Sequence, residues 1–260
     1  MTKRSMDVAL KEGKYIYCII ASGEAQSFGS LGIGGRGDEL RTITYDDISA
    51  VVSDSLIVNY SVSRENMLAH EKAIEEVMKK YTVLPVRFCT IAQDEGKVKK
   101  ILKEEHDKFI PMLKNMKGKK ELGLKAIFNE DVIYKEIAEN YEDIKKLKKA
   151  LSSESPTKTY YLRVDLGRKV EAALQEQKDI CEEEILNALS PLAQDKKVNA
   201  AYGELMIISA AFLVEKAKEA EFDRTVQALA DKYGDKIKFK YTGTLPPFNF
   251  VNLVIETGKY

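Results

Sequence analysis

Few residues of this chain have the type and spacing that chemistry requires. His70 and His106 are its two histidines. His70-Glu71 opens like the His-Glu-x-x-His helix that grips zinc through two imidazoles one turn apart, but position 74 is Ile. Both histidines fall in helical patterns, His70 on or beside an apolar stripe, so a packed and hydrogen-bonded imidazole is the expectation. Cys18, Cys89 and Cys181 stand far apart with no Cys-x-x-Cys. An odd, scattered set argues against a disulfide framework and against structural zinc, and suits a reducing compartment. Cys89 with His70 is a nucleophile–base pair that folding could bring together, though no orienting motif accompanies it. Gly32, Gly34 and Gly37 satisfy Gly-x-Gly-x-x-Gly, with Asp54 at about the distance of a ribose contact. Dinucleotide binding also needs a strand running into the first glycine and a helix opening at the last. Here the strand ends early, and Asp38-Glu39 puts acid where the pyrophosphate would lie, so the segment reads as a flexible or bulged loop. No Gly-Lys-Ser/Thr and no Gly-x-Ser-x-Gly occurs. The carboxylate pairs (Glu75-Glu76, Glu104-Glu105, Glu182 to Glu184) sit in mixed-charge helices and read as solvated faces. The expectation is no catalytic residue, no cofactor and no metal.

Two segments are unusual without being catalytic. Leu84-Pro85-Val86-Arg87-Phe88 puts a guanidinium inside an apolar strand, where it must find a carboxylate or carbonyls. Thr242 to Val251 places Pro246-Pro247 between a strand and an aromatic tail. Paired prolines stiffen a chain as polyproline II, which would present Phe248 and Phe250 on one side, to dock on this protein or on a partner.

The elements that must position these groups follow from periodicity. Tyr15 to Ala21 reads as a buried strand, Gly29 to Gly37 as loop, and Arg41 to Tyr45 and Ile48 to Asp54 as strands around a turn at Asp46-Asp47. Ser63 is placed to cap a helix carrying Met67, His70, Ile74, Val77 and Tyr81 on one stripe. Leu84 to Ile91 returns to strand. A helix follows from Asp94-Glu95 to about Gly118, with Pro111 expected to kink its last turns. Glu121 to Phe128 is a strand. Two helical stretches follow, Val132 to Leu151 and Pro156 to Leu189, the second opened by Ser155 as cap and Pro156 at its first position. Asp195 to Ala201 is a strand; Leu205 to Val214 is a second, apolar on both faces and therefore central. A helix through Phe222, Val226, Leu229 and Tyr233 stops at Gly234, and Ile237, Phe239 and Tyr241 alternate with Lys236, Lys238 and Lys240 on a strand with one wet face. From Glu121 onward this is a ferredoxin-like βαββαβ order with an enlarged first crossover. The expected fold class is α+β in two domains: an N-terminal α+β domain over 1–118, and over 119–260 a modified ferredoxin-like domain with the proline/aromatic tail.

At 260 residues, 44% hydrophobic and 32% charged, the chain has room for a sizeable core. Forty-one basic residues balance forty-one acidic ones, which removes the electrostatic case for a nucleic-acid binder. The N-terminus lacks a signal peptide's apolar region, and the longest nearly apolar run, Leu205 to Val214, is about half a membrane span. A soluble cytoplasmic protein with no lipid-membrane partner is the expectation.

At these segments the sequence resembles the gas vesicle accessory proteins of the F/L type, from Tyr15 almost to the end. The resemblance is carried by His70-Glu71 with Thr82-Val83-Leu84-Pro85-Val86-Arg87-Phe88, by Glu121-Leu122-Gly123-Leu124-Lys125, and by the C-terminal series. In that series stand Ala211-Phe212-Leu213-Val214, Phe222, Tyr241-Thr242-Gly243 and Pro247-Phe248-Asn249-Phe250-Val251. Cys89 stands where the family usually has Gly, and Thr244-Leu245 replace the commoner Pro-Trp. The resemblance implies a non-enzymatic accessory or minor structural protein for building gas vesicles, hollow protein-shelled organelles that provide buoyancy. Its implied partners are the small amphipathic shell protein and other gas vesicle accessory proteins, and its implied location is the cytoplasm and the vesicle. It also implies two α+β domains, the second ferredoxin-like. A shell subunit with an apolar face is insoluble until it polymerises. It could be held by a lent sheet edge or an apolar groove, and Arg87, Lys238, Phe248 and Phe250 are the candidate contacts. The alternative is a small-ligand enzyme with a ferredoxin-like domain using Arg87 and Cys89.

Overall fold

The computed structural model describes residues 11–153 and 159–260, and the chain divides into two compact units. The first comprises the described residues up to Lys120 together with Leu245–Tyr260; the second is Glu121–Thr244. In the first lie β1 (Glu12–Ile20), β2 (Arg41–Tyr45), β3 (Ile48–Leu56), α1 (Arg64–Met78), β4 (Val83–Pro85), β5 (Ile91–Ala92), α2 (Glu95–Glu104) and α3 (His106–Met116). Its sheet runs β2-β3-β1-β4, with β5 also paired to β1. The pairings are antiparallel, registering Tyr15 with Ser53 and Cys18 with Pro85. β1 is central because Tyr15 to Ile20 is apolar on both faces and wholly buried. The glycine loop folds inward: Ile33 is buried, and its N–H donates to the Tyr17 hydroxyl at 2.7 Å. A Cβ at Gly32 would stand 2.8 Å from the Asp38 carbonyl oxygen, so that glycine serves a close turn.

The second unit carries β6 (Lys119–Phe128, whose first two residues end the first unit), α4 (Glu130–Asn140), α5 (Glu142–Ser153), α6 (Tyr160–Leu189), β7 (Asp195–Asn199), β8 (Met206–Glu215), α7 (Glu219–Tyr233) and β9 (Ile237–Leu245). The sheet order is β7-β8-β6-β9. β8 and β6 are interior strands, as the apolar run of β8 requires, and β9 is an end strand. Phe212 of β8 packs on Phe222 of α7 with ring centroids 5.2 Å apart. Among the described residues no helix is long and apolar enough to cross a membrane.

Several expectations are corrected. Leu84 to Ile91 is not one strand: β4 ends at Pro85 and β5 begins at Ile91. Between them the Thr90 hydroxyl donates to the Arg87 carbonyl at 2.6 Å, and Cys89 takes a left-handed φ of 64°. Arg87 is therefore on an exposed turn rather than inside a strand. The helix after Asp94 breaks at Glu105, and Pro111 lies inside α3. Val132 to Leu151 breaks at Tyr141, whose φ and ψ of −95° and 106° are extended. Ser155-Pro156 lies outside the described residues. The tail belongs with the first unit, not with 119–244, because Val251, Leu253 and Ile255 bury their side chains and Leu253 pairs with Val86 in a parallel bridge. Pro246-Pro247 does not start an extended polyproline segment. The Phe248 N–H donates to the Pro246 carbonyl at 2.7 Å and the Val251 N–H to Pro247 at 2.8 Å, a compact turn.

Candidate functional site

Helix α1 starts where Ser63 Oγ accepts the Asn66 N–H at 3.2 Å. That phase turns His70, Ala73, Ile74 and Val77 into the first unit. His70 is 2% exposed. Its Nδ1 lies 3.1 Å from the Tyr15 hydroxyl, which itself accepts the Cys89 N–H at 2.8 Å. In the tautomer in which the tyrosine proton goes to Nδ1, the imidazole carries its own proton on Nε2. Nε2 is buried and makes no hydrogen bond among the described residues. Burial pushes the His70 pKa down to about 4, the Val86 backbone pulling weakly the other way, so the ring is neutral at pH 7. Tyr17 stacks on it at 5.6 Å, with Phe88 at 5.7 Å edge-on and Phe248 at 6.1 Å.

This imidazole lines a groove of about 430 Å³. Met67, His70 and Glu71 come from α1, Pro85 to Phe88 from β4 and its turn, and Phe248, Val251, Asn252 and Leu253 from the tail. The tail closes one wall because the Arg87 N–H donates to the Leu253 carbonyl at 3.2 Å. Met67 and Phe248 stay 40% and 42% exposed, an apolar lip on a mostly apolar cleft. Two charges stand on it. The Arg87 side chain has no ion pair among the described residues, and neither has Glu71, whose pKa is raised by burial and then by neighbouring Glu75.

Of the four expected contact residues, the structure brings Arg87 and Phe248 together at this groove. Phe250 is half-buried and does not line it, and Lys238 is exposed on β9 in the second unit. The Cys89–His70 pair does not form: Nδ1 faces Tyr15, while the Cys89 thiol lies 3.7 Å from the Val58 carbonyl and from Asn59 Oδ1. Asp46, Asp47 and His106 bring possible ligand atoms within 4.8 Å of one another, but both acids are exposed. Asp47, at 2.8 Å from Nε2, holds His106 toward its charged form, so the cluster is a surface ion pair. Sequence reasoning missed Met67, Val251 and Leu253 as walls, and the buried Nε2 of His70. The histidine's place on an apolar stripe was the available signal; its fixing partner Tyr15 lies 55 residues away.

Comparison with known proteins gives a consistent result. A family model described as gas vesicle synthesis protein GvpL/GvpF matches residues 13–252. Gas vesicle protein F of Dolichospermum flosaquae is 26% identical over 211 residues, 80% of this chain and 85% of that protein. Gas vesicle protein F of a Streptomyces species is 25% identical over 238 residues, 91% and 98%. The fold is similar to the crystal structure of the gas vesicle protein GvpF from an Anabaena species, with a TM-score of 0.78 at 20% identity over 94% of this chain and 99% of that one.

Proposed function

The chain belongs to the gas vesicle synthesis protein GvpL/GvpF family, and from that premise we propose that it is a non-enzymatic accessory protein of gas vesicle assembly. It binds the small shell protein and other gas vesicle accessory proteins, in the cytoplasm and on the vesicle. The family match across nearly the whole chain carries this reading. A shell subunit with an apolar face needs cover until it polymerises, and the groove beside His70 with its exposed Met67 and Phe248 offers such cover. Strand β9 offers a second kind: as an end strand it can lend its outer ladder, with Lys238 on its wet face. Arg87 and Phe248 are the contacts at the groove; Phe250 supports the turn that presents Phe248.

The architecture within this reading is two α+β domains. The order β6, three helices, β7, β8, α7, β9, with β7-β8-β6-β9 across the sheet, supports a ferredoxin-like second domain whose first crossover is enlarged. No observation among the described residues favours the small-ligand enzyme: the Cys89 thiol lies against the Val58 carbonyl and Asn59 Oδ1 rather than a base.

Co-expression of this chain with the shell protein of the same source, then affinity capture and size exclusion, tests the proposal. A soluble complex is expected. A shell protein that stays insoluble, with nothing co-purifying, overturns direct binding.

A further inference from the structure

The groove beside His70 demands three kinds of partner at once: an acceptor for a buried Nε2–H that the Val86 backbone serves only weakly, an anion for the exposed guanidinium of Arg87 and a cation for the half-buried carboxylate of Glu71, neither charge being in an ion pair among the described residues. Apart from Asn252, its other walls are apolar. A buried donor that meets no full hydrogen bond among the described residues is held below its bonding capacity, so an occupant that supplies a well-placed acceptor there gains a bond the free protein makes only weakly. At about 430 Å³ the cleft is near the small end of ligand cavities, the size for one or two apolar side chains. A lipid surface or a nucleic-acid backbone would present anions to Glu71 as well as to Arg87. A polypeptide meets all the demands: an apolar side chain for the cleft, its own carbonyl for Nε2–H, an acid for Arg87 and a base for Glu71.

We propose that this groove docks a segment of a partner protein in which an apolar residue is flanked by an acidic and a basic residue, with a backbone carbonyl accepting from His70 Nε2–H. The proposal rests on the assembly reading only for which protein supplies the segment. Glu71 and Arg87 set the direction in which the segment lies, since reversing it places like charges together.

The two histidines make the test direct. Histidine-selective ¹⁵N labelling of the full chain gives two imidazoles, His70 in the groove and His106 as an internal control. The probes are overlapping synthetic peptides of about 20 residues that cover the shell protein and the other gas vesicle proteins of the same source. A peptide of the stated pattern is expected to shift His70 Nε2–H and leave His106 unmoved. Arg87→Glu should weaken it at least tenfold, and replacing the peptide's acid with Lys should restore binding to that variant. Binders that leave His70 unmoved, binding indifferent to Arg87→Glu, or no binder at all overturn the proposal. So does a free carboxylate such as octanoate shifting His70 as much as the best peptide. If only peptides from other accessory proteins bind, the groove stands and direct shell binding falls. If the shell protein is captured while His70 stays unmoved, the reverse holds.

Discussion

At the scale of single residues, His70 and Cys89 make the sharpest predictions. An imidazole at about 4 in the folded chain, against an ordinary 6.5, leaves the unfolded chain binding a proton that the folded chain refuses. The stabilisation from burying neutral His70 is therefore complete above about pH 6.5 and is lost as pH falls toward 4, at up to about 1.4 kcal/mol per pH unit. Urea midpoints of the wild type should fall faster than those of His70→Gln over that window; parallel curves would show that His70 is not buried neutral. Cys89 holds φ at 64°, a region that costs a residue with a Cβ about 1–2 kcal/mol. It occupies the position where the resembled family usually has Gly. Cys89→Gly is expected to stabilise the first unit by roughly 1 kcal/mol, while Cys89→Ala, which keeps the Cβ, should not. Equal effects of the two in calorimetry would assign the change to the thiol instead. This part of the site was half legible in the sequence. Phe248 and Arg87 stood out by type, but what places them together is a hydrogen bond from Arg87 to Leu253, 166 positions on. No local pattern encodes that.

Elements with a strong period and a good stop were legible: α1 behind its Ser63 cap, α7 before Gly234, and β8 with both faces apolar. The failures share a cause. The residues from Leu84 to Ile91 have strand character, yet the Tyr15 hydroxyl takes the Cys89 N–H and Thr90 closes onto Arg87, so tertiary bonds turn the chain. Likewise the helical stretches split at Glu105 and Tyr141, neither of them a glycine or proline, while Pro111, where the sequence leads one to expect a kink, lies inside α3. Strand β9 belongs to the legible group, and its position at the sheet's end gives its lysines a purpose the alternation alone did not show. Lys238 and Lys240 are exposed on a strand whose outer ladder is unpaired in the sheet, where charge discourages pairing with another copy. Replacing both with Val should drive concentration-dependent self-association, seen by light scattering after size exclusion, without unfolding the second unit. A doubly substituted chain that remains as monodisperse as the wild type would show that this edge is not guarded by charge.

For the molecule as a whole, the second unit is an insertion: the chain leaves the first unit after Lys120 and returns to it at Leu245. The tail is therefore structural for a core that began more than two hundred residues earlier. Val251, Leu253 and Ile255 are each buried, and burial of such side chains is worth about 1.5–3 kcal/mol apiece. Leu253 also pairs with Val86, the Tyr260 hydroxyl donates to Glu105 at 2.7 Å, and Lys97 reaches the Tyr260 carbonyl. Together the three apolar residues approach the whole stability of an ordinary domain, about 5–15 kcal/mol. Truncation after Leu245 should therefore unfold the first unit, while the core around Phe212 and Phe222, which uses none of the tail, keeps its own cooperative transition. The milder change Leu253→Ala should cost about 2–5 kcal/mol and lower the same transition. Calorimetry separates the outcomes: one transition lost or lowered and one retained is expected. Loss of both in the truncated chain would mean that the second unit depends on the first, and loss of neither would mean that the tail's burial contributes little. Because Phe248, Val251 and Leu253 also wall the groove, any partner that docks there reads the folded tail. Tail variants should then lose partner binding in proportion to the first unit's unfolding, whereas Arg87→Glu should lose it with the transition unmoved.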